Sequence, residues 1–121
     1  MKQENSTKNE HLYTVGELCS AFQITRKTLF YYDRAGLLKP TERVGTQAFK
    51  VYDESAKDAL QEILSFRDAG LTIAEIRAVR DEDCTDPLSI LNRVLDRLQR
   101  ERKEKEANIR HLKELMEQYR E

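Results

Sequence analysis

Cysteine is scarce: the 121-residue chain has two, Cys19 and Cys84, far apart along the sequence. A pair so placed offers neither a disulfide framework nor the close spacing of a metal finger, and it fits a reducing cytosol. Long apolar runs are missing as well. No stretch approaches the roughly 20 residues of a membrane-spanning helix, and the leading MKQENSTKNE lacks the apolar core of a signal peptide. A cytoplasmic protein with a disordered tail over residues 1–11, and no membrane partner, is expected. Nor does one sign of charge dominate, since the formal net charge is −1. That balance gives no global pull toward nucleic acid. Finally, no nucleophile, carboxylate pair or metal cluster stands in an arrangement that catalysis requires. No enzyme, metal site or cofactor is expected.

What is present is unevenly spread. Charged residues make up 36% of the chain and hydrophobic ones 39%, which leaves room for one small domain and a polar appendage. From Thr25 to Lys50 there are six cations (Arg26, Lys27, Arg34, Lys39, Arg43 and Lys50) against two acids (Asp33 and Glu42). A local surplus of positive charge in a near-neutral protein marks a docking face.

The centre of that face is the stretch from Ile24 to Leu38, read as one short helix ended by Gly36. Leu29, with Ile24 and Leu37 flanking it, supplies the apolar side. Arg26, Lys27, Thr28, Phe30, Tyr31 and Arg34 fill the remainder with cations, hydroxyls and rings. Phosphates take cations and hydroxyl donors, and base edges take arginine, lysine, threonine or an apolar group against a thymine methyl. This pattern reads as a DNA-recognition helix.

Ahead of it, Tyr13–Leu18 opens a first helix, with Thr14 and Glu17 at capping-box spacing. Val15, Leu18, Cys19 and Phe22 form its inward stripe, where Cys19 serves as a small core residue. Thr25 is the next N-cap, and two helices so tightly joined make a helix-turn-helix. Behind it, Pro40 and Gly45 interrupt helix, and Phe49 and Val51 alternate with Lys50 and Tyr52 at strand period. A small hairpin, or wing, is expected there. Asp53 caps a third helix running to about Ala69, and Gly70 stops it. Thr72 and Glu75 repeat the capping box and start a fourth helix with Ile73, Ile76 and Val79 inward. An acidic hinge over residues 81–86 then leads to Pro87 at the first turn of a last helix.

That last helix, expected over residues 87–120, carries Leu88, Leu91, Leu95, Leu98, Arg102, Lys105, Ile109, Leu112, Met116 and Tyr119 at alternating spacings of three and four. This is a heptad stripe with two cations at its centre. A helix so long and one-sided needs a partner, and a second copy of the chain is expected. The spacing does not choose between parallel and antiparallel pairing.

Five segments in order now identify a family. Tyr13–Leu18, Thr28–Asp33, Gly36–Pro40, Phe49–Asp53 and Gly70–Ile76 resemble the motifs of MerR-type transcription regulators, over residues 12–80. The resemblance implies a mainly α fold: a winged helix-turn-helix domain followed by a long C-terminal dimerisation helix in an antiparallel coiled coil. It implies a homodimer on a pseudo-palindromic promoter operator in double-stranded DNA, acting with RNA polymerase by bending and untwisting the duplex. It places Arg26, Lys27, Phe30, Tyr31, Tyr32 and Lys50 at the family's DNA-facing positions, and Thr14, Thr25 and Arg43 complete the expected DNA-contact set. The dimerisation residues are Leu88, Leu91, Leu95, Leu98, Ile109, Leu112, Met116 and Tyr119. Two departures stand out. Phe30 replaces the family's usual arginine, and Ala48-Phe49-Lys50 replaces the usual Gly-Tyr-Arg, so a hydroxyl and a bidentate donor are lost.

Such regulators usually sense through a segment beyond the long helix, and with Glu121 last a short member without a C-terminal effector domain is expected. Cys84 stands where metal sensors of the family begin their long helix, but the second cysteine loop is missing. It is either a thiol sensor or a hinge cysteine without a role. The competing function is a protein-interaction module whose long helix recruits an acidic partner to Arg102 and Lys105, with only weak DNA binding.

Overall fold

The computed structural model describes residues 11–121. The expected disordered tail therefore lies outside the described residues, apart from His11, whose ring meets Tyr13 edge-on at 4.4 Å between centroids. The chain forms two compact units that divide after Ala69.

The first unit runs β1 (Tyr13–Thr14), α1 (Val15–Phe22), α2 (Arg26–Arg34), β2 (Glu42–Val44), β3 (Phe49–Tyr52) and α3 (Glu54–Asp68). Its helices begin where side-chain oxygens can accept the free backbone N–H groups of a first turn. Glu17 N donates to Thr14 Oγ1 at 3.1 Å and Thr14 N to Glu17 Oε1 at 2.9 Å, a complete capping box. Thr28 N donates to Thr25 Oγ1 and Ala56 N to Asp53 Oδ1, so α2 and α3 start at the expected residues.

The wing is larger than expected. Tyr13 and Thr14 form a strand rather than the opening turn of α1, and they pair antiparallel with Tyr52 and Val51. Because an N-cap residue is extended, Thr14 (φ −82, ψ 167) can serve the strand and the helix cap together. β3 is thus the middle of a sheet ordered β1-β3-β2, with Arg43 opposite Lys50 and Val44 opposite Phe49. Leu18, Leu29, Tyr52, Leu60 and Ile63 are fully buried in this unit, whereas Cys19 and Phe22 of the expected inward stripe are half-buried.

The second unit contains α4 (Ile73–Arg80) and α5 (Pro87–Glu117). The sequence motifs keep α4 with the DNA-binding domain and put the boundary at residue 80. In the structure α4 belongs with α5: Glu75, in the first turn of α4, pairs with Arg97, which also donates to Gly70 O at 2.7 Å. The Arg97 hydrogen bond holds the Glu75 carboxyl below its usual range. Gly70 has φ +101, and a Cβ there would meet Leu98 at 3.2 Å. Both the backbone and the close approach call for glycine.

Along α5 the heptad divides in two. Val94, outside the heptad, is the buried residue at 3% exposed, with Ile90, Leu91, Arg97 and Leu98 half-buried around it. The helix ends at Glu117, three residues short of the expected end, and Tyr119 falls in a terminal turn. No described helix is long and apolar enough to cross a membrane.

Candidate nucleic-acid interface

α2 separates its side chains by direction. Leu29 points wholly into the core, while Arg26, Lys27, Tyr31 and Arg34 are exposed and Phe30 is half-buried. Tyr32 departs from the expected DNA-contact set. At 2% exposed it is a core ring, because it falls three residues after Leu29 on the inward side of a helix. Thr14 and Thr25 are exposed, but their hydroxyls are engaged as caps. Thr25 Oγ1 also lies 3.0 Å from Thr28 Oγ1.

The wing meets α2 across a groove of about 590 Å³, whose lining includes Thr14, Gly16, Arg26, Phe30, Phe49 and Lys50. The Arg26 guanidinium reaches back over α1, where a Cβ on Gly16 would sit 3.4 Å from one of its nitrogens, an ordinary contact distance. Lys50 Nζ stands 4.2 Å above the Phe30 ring, a cation–π contact. Phe49, 61% exposed, and Val44 add an apolar edge. Cations and exposed apolar groups therefore share one face.

An acid that closes the Thr28–Asp33 segment, and to which the sequence pattern gives no role, organises this face. Asp33, in the last turn of α2, is buried and gathers three cations, one from the α2–β2 connection and two from the wing strands. Lys39 Nζ donates to Oδ1 at 3.2 Å and to the Asp33 carbonyl at 3.0 Å. Arg43 and Lys50 approach Oδ2 at 3.3 and 3.2 Å. Burial pushes the Asp33 carboxyl up, but Lys39 and Lys50 outweigh it and hold it below its ordinary value. Arg43 and Lys50, both expected to reach DNA, thus meet each other across the sheet and share one anion. No sequence spacing marks this cluster, since its members are brought together by the strand register.

Beside it, Tyr52 is fully buried and its hydroxyl has no hydrogen-bond partner. Burial and then the Asp33 charge push its pKa up to about 12, against the pull of Arg43. A group raised in this way contributes stability in full below pH 10, the unfolded value, and loses it as pH rises through 12. Tyr52→Phe should therefore be neutral or stabilising by up to about 1 kcal/mol at pH 7, because an unpaired buried hydroxyl is removed. Urea melts at pH 7 and pH 11 check this, and the variant should lose less stability than the parent at the higher pH.

The remaining expected residues scatter. Cys84 is a half-buried free thiol in the segment between α4 and α5, its N–H donating to Asp81 O at 3.0 Å. No group of three or more metal-ligating side chains occurs among the described residues. On α5, Leu88, Leu95, Ile109, Leu112 and Met116 are exposed, as is Tyr119 beyond its end, while Leu91 and Leu98 are half-buried. Leu115, which lies off the heptad, is also exposed.

Known proteins share this architecture. A family model described as "MerR HTH family regulatory protein" matches residues 13–83. The HTH-type transcriptional activator TipA of Streptomyces coelicolor is 36% identical over 81 residues, covering 67% of this chain and 32% of TipA. The chain thus spans about a third of that relative's length. A MerR-family transcriptional regulator from Bacillus cereus superposes with a TM-score of 0.79 at 24% identity, over 90% of this chain and 83% of its own. EcmrR, solved in complex with DNA, superposes with a TM-score of 0.75 at 24% identity, over 86% of this chain and 38% of its own. A match of this extent to the family model, on a three-helix and sheet unit followed by a long helix, places the chain in the MerR HTH family of regulatory proteins.

Proposed function

We propose that the protein is a transcriptional regulator that binds promoter DNA sequence-specifically as a homodimer. The observation that carries this reading is the joint face of α2 and the wing, where Arg26, Phe30, Phe49 and Lys50 line one groove and Lys39, Arg43 and Lys50 meet at Asp33 of the same helix. Base-facing and phosphate-facing chemistry lie side by side there. EcmrR, a relative by fold, is found on DNA.

The dimer is formed by α5. Its second half leaves Ile109, Leu112, Leu115 and Met116 exposed on one helix, an apolar strip that 31 residues of regular helix, about 46 Å, carry into solvent. Two copies running antiparallel with Arg102 near Lys105 of the second copy would lay the strip of each along the first half of the other's α5, where Leu88 and Leu95 are exposed. Glu101 and Glu106 are close enough along the sequence to screen that layer. Two recognition helices on a two-fold axis then read two half-sites of a pseudo-palindrome, and the fixed wing geometry selects a bent, untwisted duplex. RNA polymerase at such a promoter is the further partner.

The test is binding to the DNA upstream of the protein's own coding sequence against a scrambled duplex, at two salt concentrations. The chain should prefer the upstream duplex, and affinity should fall steeply with salt. Arg26→Ala with Lys27→Ala should lower the affinity by about 2–6 kcal/mol, since each charged side chain on a base edge or phosphate is worth about 1–3 kcal/mol. Equal affinity for both duplexes would leave the interaction-module reading in its place.

A further inference from the structure

We propose that Asp33 is a positioning residue: its carboxylate sets the geometry of Lys39, Arg43 and Lys50, and through them the selectivity of the wing for DNA. The proposal rests on the DNA-binding reading above and deepens it.

The first argument is cost. Asp33 sits in the last turn of α2, where the helix dipole disfavours an acid, and it is 7% exposed. A buried carboxylate there is tolerable only when several cations meet it. Three do, from three separate stretches: the α2–β2 connection, β2 and β3. The second argument is geometry. Arg43 and Lys50 are direct cross-strand partners, so both extend from the same side of the sheet, where they would repel without a shared anion. Asp33 Oδ2 lies between them, and Oδ1 takes Lys39. A carboxylate joined to the recognition helix thus fixes where the wing stands relative to that helix.

The third argument is that the cluster is not used up. One negative charge against three positive ones leaves a surplus. The Lys39 and Arg43 side chains remain 67% and 50% exposed. Arg43 reaches Asp33 through a single terminal nitrogen, which leaves guanidinium N–H groups for a phosphate. The cations are therefore held in place yet available, the preorganised state in which less ordering entropy is lost on binding.

Two variants of the full chain separate position from charge. Asp33→Asn keeps the shape and removes the charge, whereas Asp33→Glu keeps the charge and moves the carboxylate by one methylene. Hydrogen exchange of the wing amides in the free protein should quicken at least about tenfold in Asp33→Asn, with α1 and α3 little changed. In DNA binding, Asp33→Asn should bind the scrambled duplex more tightly and with a steeper salt dependence, by close to one phosphate contact. Its preference for the upstream duplex should fall about tenfold. Asp33→Glu should lose preference too, with its salt dependence unaltered. Full preference in Asp33→Glu, or wing amides that exchange as in the parent, would overturn the proposal. A parent chain without any preference would sink the DNA reading instead, and the exchange experiment would still decide whether Asp33 holds the wing. Should Asp33→Asn not fold, Asp33→Glu carries both measurements.

Discussion

Ile109→Glu with Leu112→Glu is expected to turn the dimer proposed here into a monomer, raising its dissociation constant by at least about a hundredfold. Both residues lie on the exposed strip of α5, and Leu112 is 57% exposed in the single chain. Replacing them removes no packing within one copy, and glutamate is a good helix former, so the fold of each chain should survive. In an antiparallel pair each copy contributes both positions, so four carboxylates would enter an apolar seam. Leaving a charge buried and unpaired costs several kcal/mol, while about 1.4 kcal/mol is already tenfold in a dissociation constant. The centre of the helix cannot compensate, because Arg102 and Lys105 interrupt the apolar stripe there. Sedimentation equilibrium over a range of concentrations measures the effect. A double variant that sediments as the parent does would place the contact between copies elsewhere.

What could be foreseen from the chain and what could not divide along a physical line. Helix starts were legible because they are local: Thr14 with Glu17, Thr72 with Glu75, Asp53, and Asp86 ahead of Pro87 all settle their hydrogen bonds within three residues. The strand at Tyr13–Thr14 was not legible, since its pairing with Val51 and Tyr52 spans almost forty residues and two residues carry no period. The Asp33 cluster escaped for the same reason. In the sequence Asp33 is one acid among cations, and only the register of β2 on β3 brings Arg43 and Lys50 to it. On α5 the heptad residues Leu88, Leu95, Ile109, Leu112 and Met116 are exposed, and buried Val94 shows that a second stripe shares the helix. Periodicity marks apolar faces without saying which neighbour covers each. The Ala48 position is instructive in another way. The family's usual glycine is replaced, and Ala48 is held at φ +55 in the wing turn, a conformation that costs an L residue about 1–2 kcal/mol. The wing is thus kept in shape against local preference, which fits a segment anchored from outside itself.

Leu29→Ala is expected to destabilise the first unit by about 2–5 kcal/mol, the range for truncating a fully buried leucine. Leu29 is 0% exposed and stands between the half-buried Thr28 and Phe30 on the one helix that carries the docking face. Its loss leaves a cavity under α2. For a unit of this size each kcal/mol shifts the melting temperature by about 4–8 °C, so a fall of more than about 10 °C should appear in the thermal unfolding of the chain. Lys27→Ala, two residues away but exposed, should stay within about 0.5 kcal/mol of the parent. The pair of variants separates two ways of losing the proposed DNA binding. On that proposal, Lys27→Ala should weaken the contact on an intact helix at every temperature. Leu29→Ala leaves the contacting side chains in place but lowers the fraction of chains in which α2 is formed, so its DNA affinity should recover on cooling well below the new midpoint. An Ala variant of Leu29 that melts with the parent would mean that α2 is not held by the core its burial implies, and the docking face would then need another support.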